Sequence, residues 1–228
     1  MATLLLPAIA ALVGPPLPRR ALFASPAALL FAAPPPAHAR SAVRQAMATF
    51  AEGRVEEALE LYDAILAANP AARPYLWQRG LALYYAGRFD EGAAQFADDV
   101  AVNPNDTEEQ IWHLLCLAQV KGGLASARAY RLSVGEDRRP VMRAVQRLFL
   151  SGDEADEREV ELLAREGEPG TRFYAALYLS LYRESLGDKE GARKRMLEAV
   201  ATEYARGTGR LDPMVELANV AVRRRGWE

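Results

Sequence analysis

Residues 73–104 read RPYLWQRGLALYYAGRFDEGAAQFADDVAVNP, and this stretch decides the fold. Leu76, Gly80, Leu83 and Tyr84 recur at spacings of three and four, which predicts an amphipathic helix. Gly87 breaks it, because glycine takes the left-handed conformation that ends helices. A second helix follows over 90–102 with Asp90 as its N-cap, and Asn103-Pro104 closes the unit, since proline cannot continue a helix. Thirty-four residues earlier the same punctuation stands: Gly53 for Gly87, Ala58 for Gly92, Tyr62 for Phe96, and Asn69-Pro70 for Asn103-Pro104. A fixed period of this length marks a helix pair that cannot bury its apolar face alone and stacks on its neighbours.

Extending the pattern outward predicts five units between residues 40 and 228. The first covers 40–70, with helices over 42–51 and 55–68. The second is 73–104. The third, 107–132, is degenerate: Thr107 with Gln110 fits a capping box, Gly122-Gly123 replaces the single turn glycine, and a helix is expected over 124–132. Residues 138–166 form a divergent pair, with Pro140 in the first turn of one helix and an acid-rich start to the next, as the helix dipole favours. The pattern returns over 172–206, with Gly187 at the turn. A helix over 213–225, capped by Asp212, is expected to cover the last unit, its Arg223-Arg224-Arg225 ending being read as a solvated helix end. The fold class is therefore all-α, an α-solenoid of about ten helices in stacked antiparallel pairs with a C-terminal capping helix.

The 34-residue period and the matched positions resemble the tetratricopeptide repeat (TPR), a helix-turn-helix unit. In that family Gly80 lies at the small position where the second helix approaches, and Phe96 at the aromatic that fills the gap between units. The run YLWQRGLALYYAGRFDEGAAQFADDVAVNPNDTEEQIWHLLCLAQ, with RRPVMRAV downstream, is similar to a group of plant and algal chloroplast repeat proteins. The family's known carboxylate clamp uses Lys and Asn side chains at inner positions occupied here by Val43, Met47, Trp77, Leu81, Ile111 and Leu115. None can hold a carboxylate, so the clamp does not carry over. What the resemblance leaves on the concave side is Trp77, Tyr84, Tyr85 and Trp112, with Phe50 nearby. Such aromatics commonly pack between units. The sharper expectation is an apolar groove, edged by Arg44, Gln78 and His113, that holds a partner helix or extended peptide through Trp and Tyr anchors.

Residues 1–39 differ from the rest. Arg19 and Arg20 are their only charges, and Ala, Leu and Pro dominate. The twin arginines, the short apolar run ALFASPAALLFAA and the Ala37-His38-Ala39 site are the parts of a secretory-type signal, with cleavage expected after Ala39. The apolar run is too short to span a membrane, which needs about 20 residues. A further apolar segment before the arginines resembles the two-part leaders of thylakoid-lumen proteins, a chloroplast transit piece followed by a twin-arginine signal. The expected compartment is the thylakoid lumen, with chloroplast stroma or a bacterial periplasm as alternatives.

Half of the 228 residues are hydrophobic and a quarter charged, enough for a real core. Setting aside Arg19 and Arg20, 26 basic groups face 30 acidic ones from Arg40 onward, which argues against nucleic-acid binding by charge. One cysteine, Cys116, sits in an apolar helical run and permits no internal disulfide; it and two histidines cannot build a metal site rich in such ligands. No phosphate loop, zinc-binding H-E-x-x-H pair or nucleophile elbow is present. Asp98-Asp99 and Glu108-Glu109 are sequence neighbours that a helix splays about 100° apart, so they read as solvated faces. The expectation is a non-enzymatic, cofactor-free scaffold that binds a protein or peptide, in assembly or maintenance of a thylakoid complex. Peripheral association with a membrane complex is compatible with it. The alternatives are an adaptor of an envelope or periplasm-type protease or cell-wall enzyme and, less favoured, an organellar RNA-binding helical repeat.

Overall fold

A computed structural model describes residues 37–227, with side chains from Arg40 onward, so most of the segment expected to be a leader lies outside the described residues. The chain runs through α1 (Ala37–Ala51), α2 (Val55–Ala68), α3 (Trp77–Tyr85), α4 (Phe89–Val102), α5 (Thr107–Val120) and α6 (Leu124–Ala127). It continues through α7 (Pro140–Ser151), α8 (Glu154–Glu166), α9 (Pro169–Ser185), α10 (Lys189–Ala201), α11 (Glu203–Arg206) and α12 (Pro213–Arg224). There is no strand among the described residues. Successive helices pack as pairs: α1 on α2, α3 on α4, α7 on α8 and α9 on α10. Contacts of α4 with α5, α5 with α7 and α8 with α9 join the pairs into one all-α array. Among the described residues no helix is long and apolar enough to cross a membrane.

The turns carry the repeat. Gly53, Gly87 and Gly187 all have positive φ, at 84°, 75° and 82°. Each is followed by the same bond from the next amide back to the carbonyl five residues earlier: Arg54 to Thr49 (3.2 Å), Arg88 to Leu83 (2.9 Å) and Asp188 to Arg183 (3.0 Å). This is the Schellman closure, which satisfies helix-end carbonyls and requires a left-handed residue that glycine adopts without penalty. The divergent pair keeps the same device in looser form, with Gly152 at φ 74° between α7 and α8. Within the second unit, Gly80 admits the Phe96 ring: a Cβ there would come within 2.6 Å of the Phe96 Cζ.

Local expectations fail where side chains compete for a cap or glycines accumulate. Asp90 is not the N-cap of α4; Arg88 holds that position and Asp90 lies in the first turn. Thr107 does not cap α5. Asp106 does, accepting from the Glu108 and Glu109 backbone amides at 3.0 and 3.5 Å, while the Gln110 side-chain amide donates to the Leu132 carbonyl. An aspartate one residue earlier offers a charged acceptor to the helix's positive end, which a threonine cannot match. The helix expected over 124–132 is α-helical only to Ala127, continuing as a 3₁₀ turn over Arg128–Tyr130. Helix α1 begins at Ala37, ahead of the expected 42.

Helix α12 does more than cover the last unit. It packs on α10 and also returns to α1 and α3, joining the end of the array to its beginning. Met214, Val215, Leu217, Ala218, Val220, Ala221 and Val222 are all buried, so the helix is apolar around most of its circumference, as expected of a core helix. The arginine ending is consequently not free. Arg223 donates to the Ala51 carbonyl, Arg224 pairs with Glu56 at 2.8 Å, and Arg225 forks onto both carboxylate oxygens of Glu184 at 2.5 and 2.6 Å.

Candidate binding site

Four of the expected groove residues form one connected aromatic core. Phe50 on α1 meets Tyr85 with ring centroids 6.0 Å apart. Tyr85 meets Tyr84 edge-on at 5.4 Å, Tyr84 meets Trp112 at 5.2 Å, and Trp112 stacks on Phe96 at 6.3 Å. These offset and edge-to-face geometries are the favoured ones for aromatic pairs. The cost to the groove expectation is accessibility: Trp112 is 1% exposed and Tyr85 9%, with Phe50 and Tyr84 also buried. The Arg225 guanidinium lies 4.9 Å over the Tyr85 ring, so the returning C-terminal segment occupies the place a guest would take there. Of the expected rim, Arg44 is exposed, Gln78 half-buried and His113 buried. Burial alone pushes the His113 imidazole down to about 4, and it pushes the Cys116 thiol up, away from the thiolate form.

Of the aromatics expected in the groove, Trp77 alone is only half-buried, and it borders open space. It lines a cavity of about 240 Å³ together with Trp112, Phe96, Glu109, Tyr174 and Asp212. Five elements build this space: α3 supplies Trp77, α4 Phe96, α5 Trp112, α9 Tyr174 and the start of α12 Asp212. Asp106 also lines a second hollow of about 590 Å³, whose wall includes Glu136, Asp137 and Arg139.

The cavity is acidic. Asp106, Glu108, Glu109 and Asp212 line it, and no basic side chain does. Three of these acids are occupied: Asp106 caps α5 and accepts from the Asn103 side-chain amide at 3.1 Å. Glu108 accepts from Tyr178 Oη at 2.8 Å and pairs with Arg139 at 2.9 Å, although burial still raises its pKa. Asp212 accepts from the Tyr174 and Tyr204 hydroxyls, both at 2.8 Å, and from the Met214 amide at 2.9 Å. Glu109 is different: it is only 5% exposed, and no donor of the chain reaches its Oε2. Burial first, then sharing of its proton with Asp106 and the charges of Asp106, Asp99 and Glu108, push its carboxyl up to about 10. Burial and Asp106 likewise bring the buried Asp99 up to about 6. The indole Nε1 of Trp112 also has no acceptor within the chain. Buried polar atoms generally find a partner, and of those without one within the chain, the Glu109 and Trp112 atoms belong to residues that line this cavity.

The expectation that Asp98-Asp99 and Glu108-Glu109 are solvated faces fails for Asp99, Glu108 and Glu109, which are enclosed by the packing of α4, α5 and α9. The signal lay in the rest of α5. TEEQIWHLLCLAQV has eleven buried residues among its 14, and acids at the head of a helix enclosed on most sides cannot all reach water. Arg139, Tyr174 and Asp212 join the site only through tertiary packing, for which the sequence carries no local mark. Comparison with known proteins finds no matching family model and no matching curated protein. Among the described residues no group of three or more His, Cys, Asp or Glu side chains is placed to hold a metal ion.

Proposed function

We propose that the chain is a tetratricopeptide-type scaffold that binds a segment of another protein and performs no chemistry itself. The observation that carries this reading is the helix pair recurring at 34 residues with the same left-handed glycine turn at Gly53 and Gly87. Stacked pairs of this kind serve as extended recognition surfaces. The groove drawn from the sequence narrows to the cavity bordered by Trp77, because Tyr84, Tyr85 and Trp112 are taken up by core packing. A half-buried tryptophan beside an open, polar-walled cavity has the character of an interface anchor. The leader reading, which rests on sequence alone, favours a chloroplast protein of the thylakoid lumen and hence a partner within a thylakoid complex.

Affinity capture with the full chain, followed by mass spectrometry, tests the scaffold. Trp77→Ala is expected to lose the captured partner while the helical signal and melting temperature stay close to those of the parent. Retention of the same partner by Trp77→Ala would place binding elsewhere on the array.

A further inference from the structure

We infer that the Trp77–Glu109 cavity is built to receive one arginine side chain presented by the bound segment. The inference rests on the scaffold reading and names the chemistry of the contact. Four carboxyl groups line the space and none of the lining residues is basic, so the wall is complementary to a cation. Glu108 already has Arg139, and Asp212 has three donors. Asp106 is held by the α5 amides and Asn103, which leaves Glu109, an acid without a basic partner: buried, walling the cavity, sharing a proton with Asp106, and with Oε2 unreached by any donor of the chain.

The shape of the site selects the cation. At about 240 Å³ the cavity is smaller than a drug-sized ligand site, which begins near 300 Å³, and it suits a single side chain. Its remaining walls are Leu81, Pro213, Met214 and the rings of Trp77, Phe96, Trp112 and Tyr174; Arg139 already lies 5.4 Å over the Tyr174 ring, which leaves the other three for a guest. A guanidinium is planar, weakly hydrated and able to stack on aromatic faces while forking onto a carboxylate; an ammonium is compact and strongly hydrated. A peptide that delivers a guanidinium also brings carbonyl oxygens, the kind of acceptor that the Trp112 Nε1–H lacks.

Binding would displace a proton. Glu109 faces Asp99 from α4, Asp106 and Glu108 from its own end of α5, Tyr174 from α9 and Asp212 at α12, with Arg139 beyond Glu108. In that company Glu109 holds its proton at neutral pH, and an incoming guanidinium would take the proton's place. Affinity for the cation should therefore rise as pH increases from 6.5 to 8.5.

The test uses the full chain with two peptides, acetyl-Gly-Arg-Gly-amide and the same peptide with citrulline, a neutral isostere, in place of arginine. Titrations follow tryptophan fluorescence and the Trp112 indole N–H resonance, with calorimetry in two buffers of different ionisation heat. The arginine peptide should bind saturably, at least tenfold tighter than the citrulline peptide, with proton release and a shifted Trp112 signal. Glu109→Gln, a neutral isostere that keeps the fold, should reduce binding at least tenfold and abolish the proton release. Equal binding of the two peptides, tighter binding of a lysine peptide, or full binding by Glu109→Gln would overturn the assignment. If these fail while Trp77→Ala still abolishes partner capture, the guanidinium assignment falls and the scaffold reading stands.

Discussion

Glu109 keeps a proton where an ordinary glutamate has lost one, and this has a stability consequence with a definite sign. A carboxyl whose folded pKa is raised favours folding fully only below its unfolded value, near 4.5, and loses that contribution as pH rises towards about 10. Between pH 7.5 and 8.5 His113 is largely neutral in both folded and unfolded chains, its unfolded value being 6.5, and Asp99 is well past its value of about 6. Glu109 contributes a falling limb of stability there. Glu109→Gln removes that titration without emptying the site. The variant is expected to be more stable than the parent by a few kcal/mol near neutral pH, since each pH unit is worth about 1.4 kcal/mol, with the gap widening towards pH 8.5. Denaturant titrations at several pH values measure it, and parallel pH profiles would contradict it. Gly80 gives a second test at this scale. Alanine would favour an isolated helix by about 1 kcal/mol, yet its Cβ would fall 2.6 Å from a Phe96 ring locked against Trp112. Gly80→Ala is expected to lose about 1–2 kcal/mol net, and to become neutral or stabilising when Phe96 is changed to leucine. Denaturation of both variants and the double change completes the cycle.

Among the elements, α12 depends most on one side chain. Asp212 accepts the Met214 amide as the N-cap and also holds the hydroxyls of Tyr174 and Tyr204. A cap is worth about 1 kcal/mol and each hydroxyl bond about 1 more, so Asp212→Ala should cost about 2–3 kcal/mol. Asp212→Asn, which still caps and accepts, should cost less than half of that. Thermal melts decide between this and a cap-only role, for which the two variants would differ by no more than about 1 kcal/mol. The Asp212 cap was legible in the sequence because the residue sits directly before a proline-led amphipathic run. So were the turns at Gly53, Gly87 and Gly187, since positive φ and glycine go together. The α5 cap was misplaced by one residue because Asp106 and Thr107 are both good caps, and only the position at which the backbone enters the helix chooses between them. The cavity could not be read in the same way. Trp77 and Trp112 were visible as candidates, but Tyr174 reaches the site from α9 and Asp212 from the start of α12, and pattern spacing carries no information on which distant helices meet.

At the level of the whole molecule, the return of α12 to α1 and α3 changes how the array should unfold. Open helical repeats fray from their ends, because a terminal unit has a neighbour on one side only. Here the end units are tied together. Arg224 binds Glu56 and the Tyr85 carbonyl, Arg225 binds Glu184 across the sequence, and the apolar face of α12 is buried beneath both. The sequence hints at this in PMVELANVAVRR, whose apolar residues exceed what one covered face needs, although its terminal position alone predicts a simple cap. The tie predicts that the amides of α1 and α2 open with nearly the same free energy as those of α9. Replacing both Arg224 and Arg225 with alanine leaves Glu184 partly buried without its fork and releases Glu56, at a cost on the order of 2 kcal/mol for such part-buried pairs. In that variant the α1 and α2 amides should exchange through a separate, lower-energy opening while α9 keeps its protection. Native-state hydrogen exchange measures both. If α1 and α2 already exchange well ahead of α9 in the parent protein, the returning helix fills space without coupling the ends, and the double variant will leave the order of exchange unchanged.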